Sequence, residues 1–492
     1  AHPGRAARPR VSWLPKGIAS DLAPPPPSPY VGPDLAPVPA SRRSWGLWHY
    51  AALWVGLSVC IPTYMLAAAL IQAGLSWQWA LTAILLGNAV VLVPMLVNAH
   101  AGTRYGIPFP VYARASFGIR GAHVPALLRG VVACGWFGIQ TWIGGLAIHE
   151  ILSLVWPGWA TLGGEWRWMG YGLPEYAAFL LFWVMNVYFI WAGTESIKWL
   201  ESAAAPLLIV AGLALLLWAR SKVGGFDAML AGANSLGGSG RFSLELFIAW
   251  VTAMVGFWAT LALSIPDFTR LATSQRAQGV GQTLGLLTTM PLFAFIGVAV
   301  TGATVTLYGE AIWNPVTLVA RLSRDSGSMT LGLVSLIVVL IATLTTNIAA
   351  NIVAPATAVA NLRPSRISMR TGGLIAAVTG IVLLPWRLLD TYQAWLLSYS
   401  GLLGAVLGVI VADYLAVRRG VLDVPALYRE GSAYWWRNGV NTRAMIALAA
   451  GAAVALIGAL VPSLSFLFSG AWFSAAIVSF VVHWLLATPK NT

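Results

Sequence analysis

From about residue 50 to the C-terminus, apolar stretches of roughly 20 residues succeed one another with only short polar breaks. A helix of that length, rising about 1.5 Å per residue, crosses the roughly 30 Å hydrocarbon core of a bilayer. Charged residues make up 9% of the chain, against roughly 25% in ordinary soluble proteins, which excludes a soluble enzyme. The class is an all-α polytopic protein embedded in a lipid bilayer. Twelve spans are predicted at 47–73, 77–101, 119–155, 173–194, 197–220, 243–268, 280–308, 329–356, 371–386, 392–416, 441–462 and 465–487. Residues 1–43 are rich in Arg and Pro, including Pro24 to Pro27, and lack an apolar signal region. They are expected to form a disordered cytoplasmic tail. A cytoplasmic loop at 421–440 precedes the last two spans within 441–487, and 488–492 form a short second tail.

Charge placement sets the orientation. With a cytoplasmic N-terminus, only Arg167, Arg220, Lys222, Arg241, Arg321, Arg324 and Arg387 of the 29 basic residues fall outside. This bias puts both termini in the cytoplasm of a multi-pass plasma-membrane (cell inner-membrane) protein. Most of the +13 net charge is therefore a topology signal, not a nucleic-acid footprint. Cys60 and Cys134 fall inside apolar spans as small packing residues, with no disulfide framework or metal cluster.

An internal echo points to an inverted repeat. Span 1 reads Trp54-Val55-Gly56-Leu57-Ser58-Val59-Cys60-Ile61-Pro62-Thr63-Tyr64, and span 6 reads Trp258-Ala259-Thr260-Leu261-Ala262-Leu263-Ser264-Ile265-Pro266-Asp267-Phe268. Trp, Leu, Ile and Pro recur in register, and an odd number of intervening spans inverts the second copy. Pro62 and Pro266 each remove a backbone donor, with Gly56 and Gly256 nearby. Paired interrupted helices of this kind mark the binding site of many transporters.

Three stretches carry polar chemistry within the apolar spans. Span 3 contains Gly135-Trp136-Phe137-Gly138-Ile139-Gln140-Thr141-Trp142, in which Trp136 and Gln140 share a helix face four residues apart. An aromatic surface beside an amide suits a flat polar heterocycle, whereas interfacial anchors would gather at helix ends. Span 6 offers Gly256-Phe257-Trp258, expected as an unwound segment presenting an indole, with a packed kink as the plain alternative. Span 8 has Thr343, Thr345, Thr346, Asn347 and Asn351 before Pro355. Buried amides face protein, water or substrate, and hydroxyls with free carbonyls are hard oxygen ligands for an alkali cation. Interhelical glue is the alternative. Asp267 and Asp413 are expected to pair with Arg270 or Arg418, and His149 with Glu150 to cap the outer vestibule, a proton relay being the alternative. No Walker loop, HExxH or GxSxG occurs, so neither an enzyme nor an ATP-driven pump is expected.

At these residues the chain resembles the nucleobase–cation symporter family of allantoin, uracil, purine and hydantoin permeases. The resemblance runs from Asp34-Leu35-Ala36-Pro37, Arg42 and Trp45 to span 12. It includes Ile61-Pro62-Thr63-Tyr64, Gly106-Ile107-Pro108-Phe109-Pro110-Val111, Ala115-Ser116-Phe117-Gly118-Ile119-Arg120-Gly121, the tryptophan run, Ile265-Pro266-Asp267-Phe268 and Asn347 to Pro355. It implies a five-plus-five inverted-repeat core within 44–420, broken helices 1 and 6, two further helices and alternating access. It also implies that Trp136 stacks on the substrate ring, Gln140 bonds its amide edge and Trp258 closes the other side. Gly256 would lie near the ligand and Asn351 would add a second amide contact, with Phe257 and Asn347 as secondary candidates. A sodium site would correspond to Gly56, Val59, Ala342, Thr345 and Thr346, while protons couple other relatives.

Some relatives place an amide where this chain has Cys60, and plant members have an acid at the Gln140 position. Span 3 and the end of span 8 resemble the plant members. Trp156-Pro157-Gly158-Trp159 and Gly163-Gly164-Glu165-Trp166 resemble bacterial allantoin permeases. The expected function is secondary active import of a nucleobase or cyclic ureide with sodium or protons, by a monomer without other cofactors. The alternative is a sensor or channel on the same scaffold.

Overall fold

The computed structural model describes residues 14–15, 17–19, 25–192, 198–236 and 242–487. Most of the N-terminal tail before residue 25, Arg241 and the C-terminal tail 488–492 lie outside the described residues. The spans follow the predicted order. Span 1 is α1 (Leu47–Ser58) and α2 (Ile61–Gln72), span 2 is α3 (Trp77–Tyr105), and α4 (Phe109–Phe117) follows in the connecting loop. Spans 3 to 5 are α5 (His123–Val155), α6 (Leu173–Ala192) and α7 (Lys198–Val223), and α8 (Phe226–Ser235) follows. Span 6 is α9 (Leu244–Ser264) with α10 (Pro266–Thr269), and span 7 is α11 (Gln275–Tyr308). After α12 (Pro315–Ser326), span 8 is α13 (Met329–Asn351) with α14 (Val353–Ala360). Then come α15 (Met369–Val382), α16 (Pro385–Asp390), α17 (Tyr392–Val411), α18 (Thr442–Leu460), α19 (Ser465–Ser469) and α20 (Ala471–Ala487).

Nine helices among the described residues are long and apolar enough to cross a membrane, and two bent pairs, α1–α2 and Pro462–Ser469 with α20, raise this to eleven. The fourteen-residue α15 takes the place of predicted span 9.

Local chemistry starts and stops these helices. Ser76, Ser274, Ser328 and Ser368 each accept a backbone N–H in the first turn. Gly106 and Gly309 close α3 and α11 with φ of 69° and 73°, a left-handed exit that glycine takes without strain.

The two prolines of the repeat act differently. Pro62 has no N–H for the Ser58 carbonyl, which instead accepts from Cys60 N at 3.1 Å. The chain turns extended at Cys60 and span 1 bends by 57°. Pro266 leaves the Ala262 carbonyl in the same position, but Asn98 Nδ2 from α3 donates to it at 2.8 Å. Span 6 is interrupted only at Ile265 and runs as continuous helix through Gly256-Phe257-Trp258, so the unwinding expected there is not present.

The described part of the N-terminal region is not the disordered tail expected up to residue 43. Residues 25–43 strap across one face, burying Leu35 completely, with Val38 N bonded to Gly106 O at 2.9 Å and Arg43 Nη1 to Thr103 O at 2.5 Å. Short turns within the segment and bonds to the loops beneath hold it in place.

Candidate functional site

Trp136 and Gln140 occupy adjacent turns of α5, each 4% exposed. Gly138, between them, lets α15 approach so closely that a Cβ there would come within 2.5 Å of Gly380 O. The Trp136 ring makes T-shaped contacts with Phe257 and Trp395, centroids 4.9 Å away in both cases, and with Tyr392 at 5.9 Å. Its Nε1–H donates to the Tyr399 hydroxyl at 3.1 Å, and that hydroxyl donates to Gly256 O at 2.8 Å. Spans 3, 6 and 10 thus meet around one indole. Gln140 Oε1 is buried and accepts no hydrogen bond. An amide oxygen left so costs about 1–3 kcal/mol.

Trp258 is not part of this face. Successive helix residues are rotated by roughly 100°, which turns Trp258 toward spans 1, 2 and 7. There its Nε1–H lies 2.9 Å from Asn88 Oδ1 and 3.1 Å from Met290 Sδ, with Trp54 in T-shaped contact at 4.9 Å. Phe257 stands against Trp136 instead. Gly256 is required by packing, since a Cβ would approach Leu396 O of α17 to 2.8 Å, while its carbonyl joins the Tyr399 bridge.

On α13, Asn351 Nδ2 donates to Asn347 Oδ1 at 3.0 Å. Asn347 Nδ2 lies 3.2 Å from Phe137 O, 3.0 Å from Thr141 Oγ1 and 3.2 Å from Asn186 Oδ1. Asn347 is therefore glue between spans 3, 4 and 8, and Asn351 reaches neither Trp136 nor Gln140 by a hydrogen bond. Cys60 opens α2 with Sγ 3.3 Å from Thr63 Oγ1, and Tyr392 Oη donates to Pro62 O at 3.4 Å.

The break in span 1 also releases oxygen ligands. With Cys60 N drawn to Ser58 O, the Gly56 carbonyl loses its helical donor and accepts from Thr346 Oγ1 at 3.4 Å. The Val59 carbonyl loses its own because Thr63 N bonds Cys60 O. Thr345 Oγ1 lies 3.0 Å from Ala342 O on the same turn of α13. These five oxygens are neutral and hard, the donor type an alkali cation takes, and among them the Thr346–Gly56 contact joins span 1 to α13.

Charged groups lie on either side, and Arg129 is the one the sequence did not single out. Arg129, two turns before Trp136, faces Asp267 at 3.4 Å, both side chains essentially without solvent exposure. Asp267 also accepts Phe109 N–H at 2.7 Å, and Arg129 donates to Ala354 O at 2.5 Å. Arg270, the partner expected for Asp267, donates to Asp34 O instead. Asp413 does pair with Arg418, at 2.7 Å. Beyond Gln140, Glu150 pairs with Arg324 of α12 at 3.2 Å, and His149 Nδ1 accepts from Trp159 Nε1 at 3.1 Å.

Three spans that meet on a buried aromatic–amide face, beside a first span broken at Cys60 and with ion pairs on either side, define a helical membrane carrier. The family described as permeases for cytosine/purines, uracil, thiamine and allantoin matches residues 37–486, and the chain belongs to it. It is 41% identical to a purine-uracil permease of Arabidopsis thaliana, over 92% of this chain and 77% of the relative. It is 39% identical to an allantoin permease of Bacillus subtilis, over 92% of both chains. Among solved structures it is similar to Mhp1, a nucleobase-cation-symport-1 family transporter in a closed conformation with bromovinylhydantoin bound. There the identity is 28% and the TM-score 0.74, over 93% of this chain and 95% of that one. These relatives are permeases, not enzymes.

Proposed function

We propose that the chain imports a nucleobase or related cyclic ureide, among them uracil, purines, allantoin and hydantoin, together with sodium by alternating access. The observation that carries this reading is the buried, unbonded Gln140 Oε1 one turn from Trp136. A lactam or ureide ring presents neighbouring N–H and C=O groups on a flat π system, and a primary amide meets both at once. Phe257 and Trp136 supply the aromatic walls, and Asn351 the second amide.

The five-oxygen set at the break of span 1 favours sodium over protons. Its oxygens are neutral, and a cation held between Gly56 O and Thr346 would tie α1 to α13 during the cycle. The Arg129–Asp267 pair on the N-terminal side and the Glu150–Arg324 pair on the other are the contacts that opening to each face must separate. The charge bias supports assigning the N-terminal side to the cytoplasm.

The test is equilibrium binding of labelled uracil and allantoin to purified protein, with adenine, cytosine and hydantoin as competitors. Saturable binding that disappears in Gln140→Leu, while the variant keeps its melting temperature, is the expected result. Unchanged binding by Gln140→Leu would remove the amide from the site and with it the reading.

A further inference from the structure

On the N-terminal face, away from the carrier site, a cavity of about 600 Å³ opens between Pro29 and Tyr30 of the strap, the start of α5, and the turn 362–366 after α14. Its lining includes Arg120, His123, Arg363 and Arg366 and, among the described residues, no carboxylate. Arg363 and Arg366 both reach it from one turn, fixed by bonds from Arg366 N and Ile367 N to Arg363 O at 2.9 Å each. Both are exposed, and among the described residues neither is paired with a carboxylate. The strap presses on this turn so tightly that a Cβ at Gly32 would come within 2.6 Å of Pro364 O, which makes the wall a fixed one.

His123 adds a donor of known direction. Arg114 Nη2 donates to Asn361 Oδ1 at 2.7 Å, so the Asn361 amide nitrogen must be the atom 3.0 Å from His123 Nδ1. Nδ1 therefore accepts, and the ring proton sits on Nε2. Arg114 itself is fully buried, among the described residues without a carboxylate partner, and held by Tyr30 O, Leu427 O and the Tyr428 ring. Burial pushes its guanidinium down to about 10, so it keeps its charge at neutral pH behind the cavity wall. Arg120 completes the rim, shared with Glu430 at 3.6 Å in a half-exposed pair that screening weakens.

We propose that this cavity binds a phosphate group, carried by an anionic lipid headgroup or by a soluble phosphate compound, through Arg363, Arg366, Arg120 and His123. Guanidinium forks match phosphate oxygens two at a time, and the described lining holds no Asp or Glu to compete. The positive-inside rule explains basic loops on this face, but it does not gather them around a cavity with an oriented imidazole N–H.

The experiment uses the full chain in nanodiscs of phosphatidylcholine. One arm titrates pyrophosphate at constant ionic strength, with chloride as the control anion, and follows the melting temperature. The other adds phosphatidylglycerol and counts retained lipid by native mass spectrometry. Saturable binding in either arm is expected, weakened about tenfold or more in Arg363→Gln/Arg366→Gln and unchanged in Arg437→Gln/Arg443→Gln, whose arginines are exposed elsewhere. Binding in the pyrophosphate arm alone identifies a soluble phosphate, and in the lipid arm alone a headgroup. No saturable binding in either arm, or equal loss in both double variants, overturns the proposal. Exposed substitutions should leave the ligand-free melting temperature unchanged, which separates lost binding from lost folding.

Discussion

The hydroxyl of Tyr399 joins Trp136 to Gly256, accepting from the indole at 3.1 Å and donating to the carbonyl at 2.8 Å. One oxygen from span 10 thus fixes the indole of span 3 against the backbone of span 6. In Tyr399→Phe the buried Trp136 Nε1–H loses its partner and the Gly256 carbonyl loses the bond that ties span 10 to it, at a cost of about 1–3 kcal/mol. Substrate affinity should fall by about tenfold while the protein still inserts, as measured by ligand binding and thermal melting. Affinity equal to wild type would show that the indole needs no such anchor.

Phe257 and Trp258 are neighbours in sequence with different surroundings, Phe257 against Trp136 and Trp258 bonded to Asn88. Phe257→Ala is expected to weaken substrate binding by about tenfold with little loss of melting temperature. Trp258→Phe should do the reverse, because Asn88 Oδ1 loses its donor while the substrate face is intact. Trp142 packs among Tyr171, Phe179 and Trp386, so Trp142→Ala should resemble Trp258→Phe and not Trp136→Ala. Paired measurements of affinity and melting temperature on these four variants distinguish the two roles.

How far the sequence reveals these roles depends on what marks them. Spans announce themselves by length and apolarity, and serine caps with glycine exits put most boundaries within a few residues. Pro62 and Pro266 look equivalent in sequence, yet a side chain from a distant span, Asn98, satisfies one orphaned carbonyl and leaves the other to break the helix. Nothing local distinguishes Phe257 from Trp258 either, because span 6 is apolar all round and shows no face. Tyr399 and the Arg129–Asp267 pair join elements more than a hundred residues apart. Helix α12 was legible in principle: Asn314 followed by Pro315 and ended by Gly327 is a start and stop signal.

Thr346 tests the cation set. Thr346→Ala removes the hydroxyl beside Gly56 O and should raise the sodium concentration for half-maximal uptake by about tenfold. Thr343→Val is the control, since the Thr343 hydroxyl only bonds back to Val339 O at 2.7 Å on its own helix. Equal sodium dependence in the two variants would place the coupling ion elsewhere.

Asp267→Asn leaves the Arg129 charge buried without its counter-ion. Breaking such a pair costs about 3–5 kcal/mol, which should appear as a lowered melting temperature. Replacing both, as Arg129→Met/Asp267→Leu, should recover most of that stability, because desolvation of the pair is removed along with its attraction. Uptake should nevertheless remain impaired if separation of this pair belongs to the cycle. A double variant with full uptake would reduce the pair to packing.

Uptake of labelled uracil and allantoin into proteoliposomes, under separately imposed sodium and proton gradients, tests the central claim most directly. Accumulation above the equilibrium level under an inward sodium gradient, absent when choline replaces sodium and absent in Gln140→Leu, is the predicted result. Binding without accumulation under either gradient, or accumulation driven by protons alone, would contradict it.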